Sequence, residues 1–308
     1  MFDFIKRRKI FGFISLALIL ITVLGTIIFK IDVDITFRGG TMLTYSYSGD
    51  LPLSEADSTI ESSLGQSVNI TSKLDNAIGK TTFVASLAAA TGISSEQQTA
   101  VTDALQKAFP DNALNLEQSV VVNPTIGGEF FAKCLVALGF AIIVLLIYIG
   151  IRFKKIGGWA TGVSAIIALV HDVIMVFFAA LIFRLPIDAN IMAVILTILG
   201  YSINDTIVIF DRLRENKRLM PRETTDAELL NVSLNQTFRR CLVTSITTIL
   251  AMIVVTVVAV IADVDSILTF SIPMIVGLVS GSYSSICITA VVWPALNKLF
   301  SKTKKKKA

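Results

Sequence analysis

Charge is scarce in this chain. Asp, Glu, Lys and Arg make up 16% of its 308 residues, against about a quarter in a typical soluble domain. Cysteine is scarce too: Cys134, Cys241 and Cys287 all lie in or beside apolar segments, and the polar N-terminal third has none. That excludes a disulfide framework and leaves the three as packing residues. Polar interruptions are missing from long stretches, and the mean hydropathy is +0.74. A water-soluble core of this size would break its apolar runs far more often. The composition describes a polytopic α-helical membrane protein.

A spanning helix needs about 20 mostly apolar residues. Six stretches qualify: Ile10–Phe29, Phe130–Ile151, Gly158–Phe183, Asp188–Phe210, Cys241–Ala262 and Ser266–Trp293. Lys6 to Lys9 precede the first, but its apolar run is long for a signal peptide and no A-x-A site closes it, so it reads as an anchor. Basic residues gather at alternate ends: Lys6–Lys9, then Arg152, Lys154 and Lys155, then Arg212 to Arg222, then Lys298 and the lysine tail. The opposite loops hold Arg184 and the acids Asp263 and Asp265. The positive-inside rule then places both termini and the Asp211–Arg240 loop in the cytoplasm, and Lys30–Gly128 outside. The KTKKKK tail reads as an anchor at anionic lipid headgroups rather than as a nucleic-acid site.

The outward segment, 30–128, changes to a period of two. Thr41–Tyr47, Ser67–Leu74, Lys80–Leu87 and Leu114–Val122 read as strands. Ser54 precedes a helical run stopped by Gly65, and Ser94 or Ser95 caps a second that stops near Pro110. The order strand, helix, strand, strand, helix, strand is that of a small α+β ferredoxin-like domain. Gly39-Gly40 reads as the turn that opens its first strand. With no His, Cys or glycine-rich phosphate loop, the domain is a binding module or a lever, not a catalyst. Residues 1–29 are then the N-terminus and first helix, 129–297 the remaining five, and 298–308 a basic tail. No cofactor or metal is expected.

The membrane segments nevertheless contain ionisable groups. The only histidine, His171, and its neighbour Asp172 lie in the third span, and Asp205 lies beside Asn204 in the fourth. A charge at mid-span costs roughly 2.5–3.5 kcal/mol on insertion scales and marks a polar pathway. Aspartate is too short to snorkel from that depth. Arg239 and Arg240 stand at the mouth of the fifth span. Spans four and five are antiparallel, so Arg239 is offset from Asp205 by on the order of 8 Å along the axis, within an arginine's reach. An arginine that reaches Asp205 holds it ionised, and one that withdraws invites a proton. Asp205 and Arg239 are therefore the candidates for proton coupling, although the sequence does not separate Arg239 from Arg240, with His171, Asp172 and Asn204 as accessory polar residues. Gly277 and Gly281 form a G-x-x-x-G that reads as close helix packing.

Several longer runs carry a resemblance. These are FRGGT (37–41), VNPTIGGEF (with Asn123 where glycine is expected), HD at His171-Asp172, GYSINDTIVIFDRLREN (200–216), SLNQTFRRCLVTSITT (233–248) and GSYSSI (281–286). In this order they resemble the SecD/SecF family of protein-export membrane proteins, on the SecF side. The resemblance implies an auxiliary subunit of the Sec translocase in the bacterial cytoplasmic membrane, not an enzyme. It further implies pairing with SecD, assistance to the SecYEG channel alongside SecA and YajC, and use of the proton-motive force to draw an unfolded polypeptide outward. It also implies a fold like half of a resistance-nodulation-division transporter, with six spans matching the form separate from SecD. Proton coupling in the family maps onto Asp205 and the first arginine of the span-five run, Arg239. Two rivals stay open. A small-molecule exporter of the resistance-nodulation-division type would show drug efflux independent of SecD. An intramembrane aspartyl protease would use Asp172 and Asp205 as a dyad, although the G-x-G-D motif is missing before Asp205.

Overall fold

The computed structural model describes residues 2–29, 33–34, 37, 39–65, 68–75, 80–87, 93–122, 124–221, 223–262 and 264–307. Lys30, Arg38, Ser67, Asn123, Arg222 and Asp263, which enter the sequence reading, lie outside them. The chain forms two compact units, one of Val33–Leu135 with Val258–Asp265, the other of Met1–Asp32, Val136–Val257 and Ser266–Ala308.

In the first unit, alternation of apolar residues builds a sheet. β1 (Gly40–Tyr47), β2 (Val68–Asp75), β3 (Lys80–Leu87) and β4 (Asn115–Val122) pair antiparallel in the order β2-β3-β1-β4. Helix α2 (Leu53–Leu64) follows β1, and α3 (Ser95–Ala108) follows β3. Leu43, Tyr45 and Tyr47 on β1 and Phe83, Ala85 and Leu87 on β3 are buried with Ala56, Ile60, Val101 and Leu105 of the helices. The period of two on the strands thus meets the helical period on one face. Gly39 (φ 76°) and Gly40 (φ 148°) open β1 with backbone angles that a side chain would oppose. Gly65, left-handed at φ 66°, ends α2. Ser94 caps α3 in a reciprocal box with Gln97.

Tyr45 and Phe83 are opposed across β1 and β3, their ring centroids 5.3 Å apart, and neither ring is exposed. Phe83→Ala is expected to cost this unit about 3–5 kcal/mol, read as faster proteolysis of residues 39–122 in the full chain. Burial raises the Tyr45 phenol above its ordinary 10.0, against a lowering hydrogen bond with Thr102. The unfolded chain ionises first, so this contribution to stability is whole below pH 10 and is lost above it. A fall in protease resistance above that pH, weakened in Tyr45→Phe, is the expected result.

In the second unit, six helices are long and apolar enough to cross a membrane. They are α1 (Arg8–Phe29), α4 (Pro124–Arg152), α5 (Gly158–Ile182), α6 (Ala189–Leu219), α7 (Asp226–Ile261), and a last span in two helices, α8 (Asp265–Tyr283) and α9 (Thr289–Lys307). The last two are joined without a break by a π turn, Ser284–Ile288. The spans of α5, α6 and α8–α9 bury half or more of their apolar stretches, whereas α1, α4 and α7 bury few of theirs. The central trio packs through small residues. A Cβ on Gly277 would lie 2.7 Å from Ile198, and one on Gly281 would lie 3.1 Å from the Ser202 Cβ. The G-x-x-x-G therefore seats α8 directly against α6.

The structure corrects one expectation. The charged segment 211–240, expected as a loop, is almost wholly helical: α6 continues to Leu219 and α7 begins at Asp226. Hydropathy reports the solvent, not the backbone, and RLRENKRL is made of good helix formers. Arg214–Asp211 and Arg212–Glu215 pairs support α6, while Asn216 donates to Ser233 and Gln236 across to α7. In the tail, α9 likewise runs through Lys307.

Candidate functional site

Asp172 lies two-thirds of the way along α5 and is wholly inaccessible. Its carboxylate is surrounded by serines. Oδ2 accepts from Ser202 of α6 at 2.7 Å and from Ser284 of the π turn at 2.8 Å, while Oδ1 accepts from Ser280 of α8 at 2.6 Å. Ser284 and Ser285 are consecutive in the π turn and both fully buried. Ser285 donates to the Ser202 carbonyl at 3.1 Å and accepts from Thr206 at 3.1 Å. Three hydroxyls satisfy the anion, and the next pair of hydroxyls binds the same turn of α6.

His171 is 3% exposed, with Nδ1 3.3 Å from Ser280 Oγ and 3.5 Å from Asp172 Oδ1. Its Nε2 is buried without a hydrogen-bond partner among the described residues. The tautomer that fits has its hydrogen on Nδ1, directed at Ser280, so that only a lone pair meets the apolar wall. On the far side the ring lies 5.9 Å from that of Tyr283.

Asp205 is 4% exposed, one turn along α6 from Ser202, and faces α7. Ser245 donates to its Oδ2 at a long 3.4 Å, and the Cys241 thiol lies against the same carboxylate. Among the described residues no cation comes within 4 Å of it. Cys241 and Ser245 are buried on the inner face of α7, and by helical phase neither Arg239 nor Arg240 lies on that face. Both arginines, like Asn204 on α6, are exposed.

The structure thus brings His171 and Asp172 together, sets Asp205 on a neighbouring turn, and leaves Asn204 and Arg239 apart from both. The two aspartates share α6 as a support but no direct hydrogen bond. Sequence reasoning missed Ser202, Ser280, Ser284, Cys241 and Ser245 as members of the site. For Ser280 and Ser284, their helical spacing relative to Gly277 and Gly281 was the available signal; Ser202 had none. Among the described residues no cluster of three or more His, Cys, Asp or Glu could hold a metal.

The fold and site define a polytopic helical membrane protein with ionisable side chains held in its interior. The model of the protein export membrane protein SecD/SecF, C-terminal family matches residues 100–299. SecF of Rickettsia prowazekii is 31% identical over 98% of this chain and 93% of its own length. SecDF of Bacillus subtilis is 33% identical over 95% of this chain but only 38% of its own length. The crystal structure of SecDF from Thermus thermophilus, a translocon-associated membrane protein, superposes with a TM-score of 0.77 at 28% identity. That match covers 98% of this chain and 39% of the other. The chain belongs to the SecD/SecF family of protein-export membrane proteins.

Proposed function

We propose that this chain is the SecF-type auxiliary subunit of the Sec translocase, which with SecD uses the proton-motive force to move unfolded polypeptides outward after the SecYEG channel. The observation that carries the mechanism is Asp205, a carboxylate buried about one and a half turns inside the fourth span, with one long hydroxyl contact and no cation within 4 Å among the described residues. Such a group is poorly compensated as an anion and gains from a proton. Arg239 and Arg240, at the start of the apolar part of α7, are the counter-charges that would hold it ionised when α7 turns. The family likeness carries over to Arg239, the first of the two. Substituting each by Met is expected to impair proton-driven export, with Arg239→Lys milder than Arg239→Met because charge is kept and only the planar fork is lost. Unchanged export in the Arg239→Met, Arg240→Met double variant would remove both from the mechanism.

Pairing with SecD is supported by the uncovered polar groups. Asn204, Arg240 and Thr244 lie within or beside apolar spans and are exposed among the described residues, and polar groups in such places face a protein partner rather than lipid. SecA and YajC are assigned as further partners on family likeness alone. The outer unit is read as a ferredoxin-like domain, in which the β2-β3-β1-β4 order and the two crossover helices support the split βαβ arrangement. It serves as the lever or chain-binding module. Deleting it should leave membrane insertion and SecD pairing intact and abolish export stimulation.

The protein is placed in the bacterial cytoplasmic membrane with both termini and the α6–α7 connection inside. A cysteine introduced at Ser54 is expected to react with an impermeant maleimide from the outside of intact cells. Labelling from the inside alone would overturn the topology.

A further inference from the structure

The serine collar of Asp172 has no part in the function just proposed, and its hydrogen bonds have a second arrangement available. Ser284 Oγ, which donates to Asp172 Oδ2 at 2.8 Å, also lies 3.3 Å from the carbonyl oxygen of Gly281. Ser280 Oγ, which donates to Oδ1, lies 3.3 Å from His171 Nδ1. Three hydroxyl donors and no acceptor around the carboxyl group fit its ionised form. A protonated carboxyl needs an acceptor for its own hydrogen, and Ser284 can become that acceptor by turning its hydrogen to Gly281 O.

We infer that Asp172 is a second proton-binding site of this chain, with Ser284 as the switch between its two states. In the ionised state Ser284 donates to Oδ2. When a proton binds Oδ2, that oxygen donates to Ser284 Oγ, and the Ser284 hydrogen passes to Gly281 O. No covalent bond other than O–H changes, and the charge of the site goes from minus one to zero. His171 Nδ1–H continues to support Ser280 in both states.

The location gives this switch a consequence. Ser284 sits in a π turn, where the backbone is already out of α-helical register, and such turns mark functional positions. The adjoining Ser285 holds Ser202 and Thr206, which flank Asp205 on α6. Reversal of Ser284 therefore changes how the last span grips the turn of α6 that carries the coupling carboxylate. The titratable groups around Asp172 are few. His171 is on its own helix, and Tyr283 and Cys287 lie in the last span on the His171 side. Asp205 on α6 is turned to α7, and α1 presents Gly12 and Ser15 to the His171 side. No Lys or Arg meets the carboxylate among the described residues, so its charge is compensated by hydroxyl dipoles that can reverse, not by a fixed cation.

The meaning of this second site rests on the proton-coupling reading, but its existence is tested apart from it. The experiment is infrared difference spectroscopy of the full chain in liposomes during stepwise acidification, following the carbonyl stretch of newly protonated buried carboxyl groups. The wild type should show a component that is lost in Asp172→Asn, kept in Asp205→Asn and moved in frequency by Ser284→Ala. Asparagine keeps the shape and one accepting oxygen, with its amide nitrogen able to donate to a serine oxygen that turns, so the variant should accumulate. If it does not, Ser284→Ala alone decides. A spectrum that Asp172→Asn or, in that case, Ser284→Ala leaves unaltered overturns the inference. Loss of only the Asp205 component would count against the main coupling reading while leaving this site standing.

Discussion

Asp205→Asn is expected to reduce proton-driven export to the level of vesicles lacking the chain, with the variant present at wild-type abundance. Asparagine keeps the shape and can still meet Ser245 and Cys241, the two side chains that touch the carboxylate, but it cannot bind and release a proton. The substitution also removes a charge from inside a span, where charges are costly, so folding should not suffer. Asp205→Glu keeps the chemistry and changes only the reach, and should retain part of the activity. Ser245→Ala removes a single 3.4 Å contact and should have a small effect. A purely structural polar contact would give the reverse pattern, with poor accumulation of Asp205→Asn and export in proportion to protein level.

The second large effect is expected from packing alone. Gly158 opens α5 directly after the turn that connects it to α4. A Cβ there would lie 2.1 Å from the carbonyl oxygen of Gly150 and 3.0 Å from its carbonyl carbon. The obstacle is the backbone of a neighbouring span, which has no rotamer to change. Gly158→Ala should therefore destabilise the helical unit by about 1–3 kcal/mol or more, the usual cost of overpacking. Gly157, with φ 94° and a hypothetical Cβ 2.2 Å from Asn297 Oδ1, is constrained in the same turn. Gly139→Ala is the control. Nothing lies within 4 Å of that position, and alanine in a helix interior is favoured over glycine by up to about 1 kcal/mol. The measurement is the thermal midpoint and membrane abundance of the full chain, with Gly158→Ala lowered and Gly139→Ala equal or raised. Equal stability of the two variants would mean that α4 and α5 do not approach as described.

Much of this was legible because solvent dictates pattern. Six apolar runs found their helices because hydrocarbon admits few alternatives. Strands in the sheet-bearing unit were readable because Leu43, Tyr45 and Tyr47 alternate on one face. Ser94 and Gly65 marked helix ends because their chemistry there is local. Asp205 stood out by the cost of its depth. The charged ends of α6 and α7 were misread, since Arg212 to Arg218 report water while saying nothing of the backbone. The serine collar was illegible for another reason. Serine is ordinary in membrane helices, and Ser202, Ser280 and Ser284 acquire meaning only when the packing of α5, α6 and the last span gathers them around Asp172. The two arginines are adjacent in sequence and both exposed, so neither pattern nor depth separates them.

The central claim is that proton movement through Asp205 drives the outward step. The direct measurement follows a secretory protein already engaged in SecYEG in vesicles that contain SecD and this chain, with no nucleotide present and a proton gradient imposed. Wild-type vesicles should complete export, stop when a protonophore collapses the gradient, and then match Asp205→Asn vesicles with the gradient intact. Completion by Asp205→Asn at the wild-type, gradient-dependent rate would contradict the account.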